Sequence, residues 1–566
     1  MSPARSQIPD HLSRYIVEQD YSRYTSEDQA VWRFLMRQLK DYLSVHAHPS
    51  YVGGLEKTGI DVDHIPDIGM MDRKLAEFGW GAVPVSGFIP PAAFMEFQSL
   101  GVLPIAADMR SIEHLTYTPA PDIVHEAAGH APILIQPEFA AYLKKYADVA
   151  RHAIITKKDM DQYAAIRELS DVKENPESSA KDIDRAETHL DAVNRNLTVV
   201  SEAGWLSRMN WWTAEYGLIG SLENPKIFGA GLLSSLGESR ECLSDHVRKL
   251  PLTIDCIDVG YDITEPQPQL FVTSDFEHLG DVLEQLAARM SFRLGGTIGL
   301  ERAREAATVV TAELDTGLQI SGVLDSFMAR GEHVDFIKFS GPVSLAFERR
   351  QLDGHGPAYH AHGFSSPLDP IAGLSDLSPG KKVSLRFAGD IELNGDFQKD
   401  VRRNGRTLIL TFQNCTVKRG ADVLFDPSWG PFDLALGERV TKVFGGPADR
   451  IAFGDTDDFV AQQIPRRVFT EEQKAVFGFF TEVRTLRESP PAGAHGQLRR
   501  LVERYYTDYP YKWIFGVELL EIATQFEMAA LDVAAGLRQH LLHTKGPSQV
   551  AFDCIKDGIR LAERRL

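Results

Sequence analysis

The sequence predicts a mainly α region over residues 1–330, then a small antiparallel β domain, then a helical C-terminal region. Three stretches predict this order. AVWRFLMRQLKDYL (30–43) repeats apolar residues at helical spacing, and VSLRFAGDIELNGDFQKDVRRNGRTLILTF (383–412) alternates apolar and polar residues. A second long amphipathic stretch runs from Gln497 to His543.

Residues 1–60 read as an N-terminal helical segment, where Ser26 with Gln29 gives a capping-box pattern ahead of the amphipathic run. Residues 61–330 carry helical patterns broken by Gly and Pro, with β-prone pieces at GAVPVSGFIPP and QPQLFVTSD. Within them, 152–200 is highly charged and reads as a solvated helical insertion. The β domain is expected over 335–460. Asn394-Gly395 and Asn404-Gly405 are expected to be its hairpin turns, because both central residues of a type I′ turn take positive φ. In the helical region 465–566, Thr470 with Gln473 forms a second capping pattern, and SPPAGAHG (489–496) is a linker.

At 566 residues the chain is too long for one core, and 43% hydrophobic with 25% charged residues is ordinary globular composition. A net charge of −19 without a basic run speaks against nucleic acid and against an anionic membrane surface as partners. Cys242, Cys256, Cys415 and Cys554 lack CxxC spacing and read as buried free thiols. No apolar leader or stretch of 18 apolar residues is present, and a cytoplasmic location is the expectation.

The chemistry-bearing segment is YTPAPDIVHEAAGHAPIL (117–134). A single histidine there would be an ordinary core or surface residue. His125 and His130, with Glu126 between them, raise a metal-binding hypothesis. On an ideal α-helix, residues five apart sit roughly 140° apart, so both reach one ion only by bending inward near a helix end. The HExxH pattern of zinc proteases needs its second histidine one residue earlier. A third candidate ligand, Glu215, lies in the aromatic run NWWTAEYGLIG, where a partnerless buried carboxylate would be costly. Two imidazoles and one carboxylate leave adjacent coordination positions open, as in non-haem Fe(II) oxygenases.

YTSEDQAVWR (24–33), PVSGFIPP (84–91), YTPAPDIVHEAAGH (117–130), WWTAEYGL (211–218) and FGAGLLSSLGE (228–238) together resemble the pterin-dependent aromatic amino acid hydroxylases, in that order. The resemblance spans roughly residues 20–325. It implies a mainly α catalytic domain of the aromatic amino acid hydroxylase type over 61–330, with Fe(II) on His125, His130 and Glu215. It further implies substrate binding by Arg110, Thr118, Pro119, Trp211 and Ser234, with Arg110 on the substrate carboxylate and Trp211 stacked on its ring. The pterin would meet Gly87, Phe88, Ile89, Phe94 and Glu126, and catalytic roles fall to Glu126, Ser234 and Glu238. Asn210, Pro104 and Ala120 depart from residues common in the family, and residues 335–566 match none of its motifs.

The implied reaction is ring hydroxylation with O2 and a tetrahydropterin (tetrahydrobiopterin or a relative), phenylalanine to tyrosine being the first choice. Tyrosine or tryptophan hydroxylation, or a non-catalytic metal-binding homologue whose C-terminal half mediates interactions, are the alternatives. The partners expected are small molecules, and the unmatched half is expected to be dispensable for the chemistry.

Overall fold

Thr25 and Asp28 exchange side-chain and backbone hydrogen bonds and start the helix Ser26–His46, one residue before the expected Ser26/Gln29 pair. In this computed structural model the described residues are 5–87, 89–115, 121–174, 178–197, 199–262, 266–369, 377–454, 468–526, 530–544 and 549–564. They divide between two compact units. One comprises Met1–Ala147, Arg208–Gly280 and Ala461–Leu566, the other Asp148–Ser207 and Asp281–Val460.

In the first unit, Trp32, Leu35, Met36, Leu39 and Leu43 bury one side of the helix Ser26–His46. Its other side is buried too, because the C-terminal helices lie on it. Phe34 meets Trp513 edge to face at 4.9 Å, and Ser26 Oγ donates to the carbonyl of Phe477 at 2.6 Å. Arg33 holds Glu521 by two hydrogen bonds of 2.7 and 2.6 Å, and Arg37 pairs with the same carboxylate. The β-prone pieces form strands Gly81–Val85, parallel to Val102–Ala106, and Gln269–Thr273, central in a four-stranded sheet.

The Thr470/Gln473 box opens the helix Glu471–Glu488 as expected. The stretch Gln497–His543 divides among helices Ala494–Asp508, Trp513–Gln525 and Leu531–His543. Pro510, which has no N–H to donate, stands at the first break.

The second unit carries a six-stranded sheet built on Val309–Leu314, Leu318–Arg330, His333–Phe347 and Val440–Gly445, and a five-stranded sheet around Ile391–Arg403 and Arg406–Arg419. The β region therefore begins at Val309 and not near 335. The helices Lys157–Glu174 and Ala180–Arg195 also belong to this unit. Ile154, just before them, is part of its apolar core.

Asn404 and Gly405 take φ of 51° and 76° and turn the Arg403/Arg406 hairpin as expected. Asn394-Gly395 is not a turn. It lies inside the strand Ile391–Arg403 at a register shift, and a Cβ on Gly395 would sit 3.2 Å from the Cβ atoms of Cys415 and Phe412. The chain reverses instead at Gly389 and Asp390, both with positive φ. All four cysteines are free and buried. No described helix is long and apolar enough to cross a membrane.

Candidate metal centre

Val124–His130 is a π-helix, not the α-helix assumed from the spacing. Its i→i+5 pattern stacks residues five apart one turn above another, so His125 and His130 share a face without bending. Asp122 starts the segment by accepting the backbone N–H of His125 at 3.0 Å. Gly129 permits its closest packing, since a Cβ there would lie 2.7 Å from the carbonyl oxygen of Ala230. Glu215 ends a second π-helical turn, Trp211–Glu215. Thr213 anchors that turn to the Met209 carbonyl at 2.6 Å and to Tyr142 at 2.9 Å. Gly229 is needed beside it, because a Cβ would come within 2.4 Å of the Glu215 carbonyl oxygen.

The three side chains converge. Nε2 of His125 lies 3.3 Å from Glu215 Oε2, and Nε2 of His130 lies 3.4 Å from Oε1. The imidazoles are nearly perpendicular, with centroids 5.0 Å apart. Ser234 Oγ donates to the Ala230 carbonyl at 2.7 Å and sits 3.1 Å from His125 Nδ1. Its one proton is thus spent, so Ser234 Oγ accepts an Nδ1–H of His125, and Nε2 is the nitrogen left to a metal ion. Burial alone would favour a neutral Glu215, but the two imidazoles outweigh it and hold the carboxyl well below its ordinary range. Donors of this kind with separations near 3.4 Å suit an ion about 2.1 Å from each.

Burial pushes Glu126 up to about 8, with Glu215 adding and His130 opposing. Its Oε2 is buried and meets no hydrogen-bond partner, 3.9 Å from His130 Nε2. Glu238 is raised by burial, and both its oxygens accept from the Tyr216 hydroxyl at 2.9 Å.

Arg110 is buried, and its fork is taken by Asp122, with two bonds of 2.7 Å. A further N–H reaches the Ser234 carbonyl at 3.3 Å. Asp122 thus joins the arginine to the histidine segment.

The expectation that Trp211 stacks on a substrate ring is corrected. Tyr216 and Tyr261 lie nearly parallel to its indole at 4.5 and 4.3 Å, and two such rings cannot share one face. Both faces are therefore occupied, and the Nε1 hydrogen is buried without an acceptor. Tyr261 was not anticipated. Asn210, noted as a departure, donates toward Glu215 Oε1 at 3.4 Å.

The strand Val102–Ala106, which includes Pro104, packs against the π-helix Val124–His130. Gly87, with φ 56°, and buried Ile89 follow its parallel partner strand. Half-buried Phe94 lies on the helix Pro91–Ser99, which packs on the strand Val102–Ala106. Phe88, Thr118, Pro119 and Ala120 lie outside the described residues.

Residues 4–161 and 199–295 match the family model of the biopterin-dependent aromatic amino acid hydroxylases. The chain is 30% identical over 274 residues to a phenylalanine-4-hydroxylase of Mesorhizobium japonicum, covering 48% of this chain and 83% of that protein. It is 29% identical over 271 residues to one of Chromobacterium violaceum, covering 47% and 76%. A solved phenylalanine hydroxylase of C. violaceum, with bound iron(III) and oxidised 7,8-dihydrobiopterin, aligns at 27% identity and a TM-score of 0.38, over 50% of this chain and 92% of that one.

Proposed function

Because the chain belongs to the biopterin-dependent aromatic amino acid hydroxylases, we propose that it converts phenylalanine to tyrosine at an iron held by His125, His130 and Glu215. The observation that carries the site is the meeting of two imidazole Nε2 atoms and one ionised carboxylate within 4.8 Å of one another, on two π-helical turns. Phenylalanine as substrate draws support from the two relatives compared above, both phenylalanine-4-hydroxylases.

Iron with a reduced pterin supplies the reductive splitting of O2, one oxygen atom ending on the ring and the other on the pterin. The protein's own residues arrange this. Ser234 fixes the His125 tautomer, so that Nε2 faces the ion. Asn210 steadies Glu215. Glu126, raised to about 8 and with Oε2 unpartnered, can hold a proton at that oxygen and offer it to a polar group of the pterin. Arg110, held rigid by Asp122, faces the amino acid carboxylate with its remaining N–H groups. Trp211, clasped between two tyrosines, shapes the wall of the site and is not a mobile stacking partner.

The test is a product assay of the full chain with phenylalanine, tyrosine and tryptophan, each with Fe(II) and a reduced pterin, beside a Glu215→Ala control. Tyrosine formed from phenylalanine, dependent on the pterin and absent from the control, is expected. Faster turnover of tyrosine or tryptophan would overturn the substrate, and full activity of the control would overturn the site.

A further inference from the structure

The second unit holds another cluster of metal-ligating side chains, outside the residues that match the family model. His355 and His360 lie in the turn between the strands Arg350–Gln351 and Gly363–Pro367, and Asp433 lies on the strand Phe432–Ala435. All three are buried, at 2, 8 and 5% exposure. His355 Nδ1 is 3.3 Å from His360 Nε2, and Asp433 Oδ2 is 3.7 and 3.9 Å from those two nitrogens.

We infer that His355 Nδ1, His360 Nε2 and Asp433 Oδ2 form a second metal site, for a divalent ion of the zinc class. Donors about 2.0–2.1 Å from a tetrahedral ion stand about 3.4 Å apart, and the three observed separations bracket that value. A hydrogen-bonded triad fits less well. One proton can serve the contact between the imidazoles, but both carboxylate separations exceed hydrogen-bond range. Asp433 would then be a buried carboxylate whose ion-pair partners are two imidazoles already turned toward each other, a costly arrangement that an ion removes.

The donors are held in place before any ion arrives. The backbone of His355 bonds to Leu352 and Leu345 at 3.0 and 2.9 Å, and that of His360 to Gly356 and Val343 at 3.1 Å each. Thr411 donates to Asp433 Oδ1 at 2.6 Å, which turns Oδ2 to the imidazoles. Tyr359, half exposed, stands edge-on to both rings. Three protein donors leave a fourth position for water or an exogenous ligand. Exposed Lys399 is a cation that bears on His355.

The experiment strips the full-length chain with a chelator, reloads it with zinc, and counts zinc per chain by elemental analysis after desalting. Wild type should hold two ions. A Glu215→Gln chain, untouched in the second unit, should keep one. Asp433→Asn or His355→Gln should also keep one, and Asp433→Asn combined with Glu215→Gln should keep none. Cobalt(II) bound to the Glu215→Gln chain should show the intense visible bands of tetrahedral coordination, which do not depend on folding of a second-unit variant. No ion in Glu215→Gln, or an ion persisting in the combined variant, overturns the inference.

Discussion

Ser234 lies 3.1 Å from Nδ1 of His125 while donating its own hydrogen to Ala230, so the serine fixes which imidazole nitrogen is left to a metal ion. Ser234→Ala should let the ring change tautomer and lower iron affinity about 10- to 100-fold, with the circular dichroism spectrum unchanged. Competition against a chromophoric chelator measures it. Unaltered affinity would show that Nδ1 keeps its proton without the serine.

His125→Ala, His130→Ala and Glu215→Ala should each remove stoichiometric iron and turnover while leaving the helical signal intact. A unit of this size has an apolar core that does not depend on an ion. Elemental analysis and a product assay check this, and full turnover in any variant removes that residue from the ligand set.

Arg110→Lys keeps the charge but cannot hold both oxygens of Asp122. The KM for the amino acid should rise severalfold with iron content retained. Asp122→Asn, which keeps an acceptor for the His125 backbone, should act in the same direction. Loss of iron from Arg110→Lys would make the arginine a support of the metal segment instead.

The C-terminal helices pack on the helix Ser26–His46, so removing residues 335–566, expected to be dispensable for the chemistry, should cost the first unit its stability. Glu521→Ala removes both bonds to the Arg33 terminal nitrogens, leaving the buried guanidinium only Asp63 at 2.7 Å and the more distant Glu518, and should destabilise by about 3 kcal/mol, read from denaturant unfolding. A chain ended near residue 330 loses that carboxylate along with Trp513 and the other residues covering Phe34. It should aggregate on size-exclusion chromatography. A monodisperse, active truncation would refute this.

His152 is held neutral. Its Nδ1 donates to the Asp148 carbonyl at 2.6 Å, and its Nε2 receives the Arg349 guanidinium at 2.5 Å. Burial lowers it to about 4, Arg349 adding to the shift and the Asp148 carbonyl opposing it. The unfolded chain titrates near 6.5, so the stabilisation is complete above that pH and is lost as pH falls toward 4. His152→Gln should flatten the fall of Tm across that window. An unchanged slope would assign acid sensitivity to other groups.

The candidate ligands were legible in the sequence because they are chemical identities at fixed spacings: two histidines five apart, a carboxylate in an aromatic run, and motifs in a shared order. The Thr470 cap and the Asn404-Gly405 turn were legible for the same reason, since each is decided within four residues. Tertiary structure alone decided the rest. Whether five residues span 140° or one π-helical turn depends on what packs against the segment, here Ala230 against Gly129. Asn394-Gly395 lost its turn to a neighbouring strand that needed the missing Cβ. The stacking of Tyr261 on Trp211, the Arg33–Glu521 pair across 488 positions and the meeting of Asp433 with His355 and His360 are all contacts between residues distant in the chain. Periodicity and propensity describe a residue's own segment, whereas these contacts follow from which buried surfaces find each other.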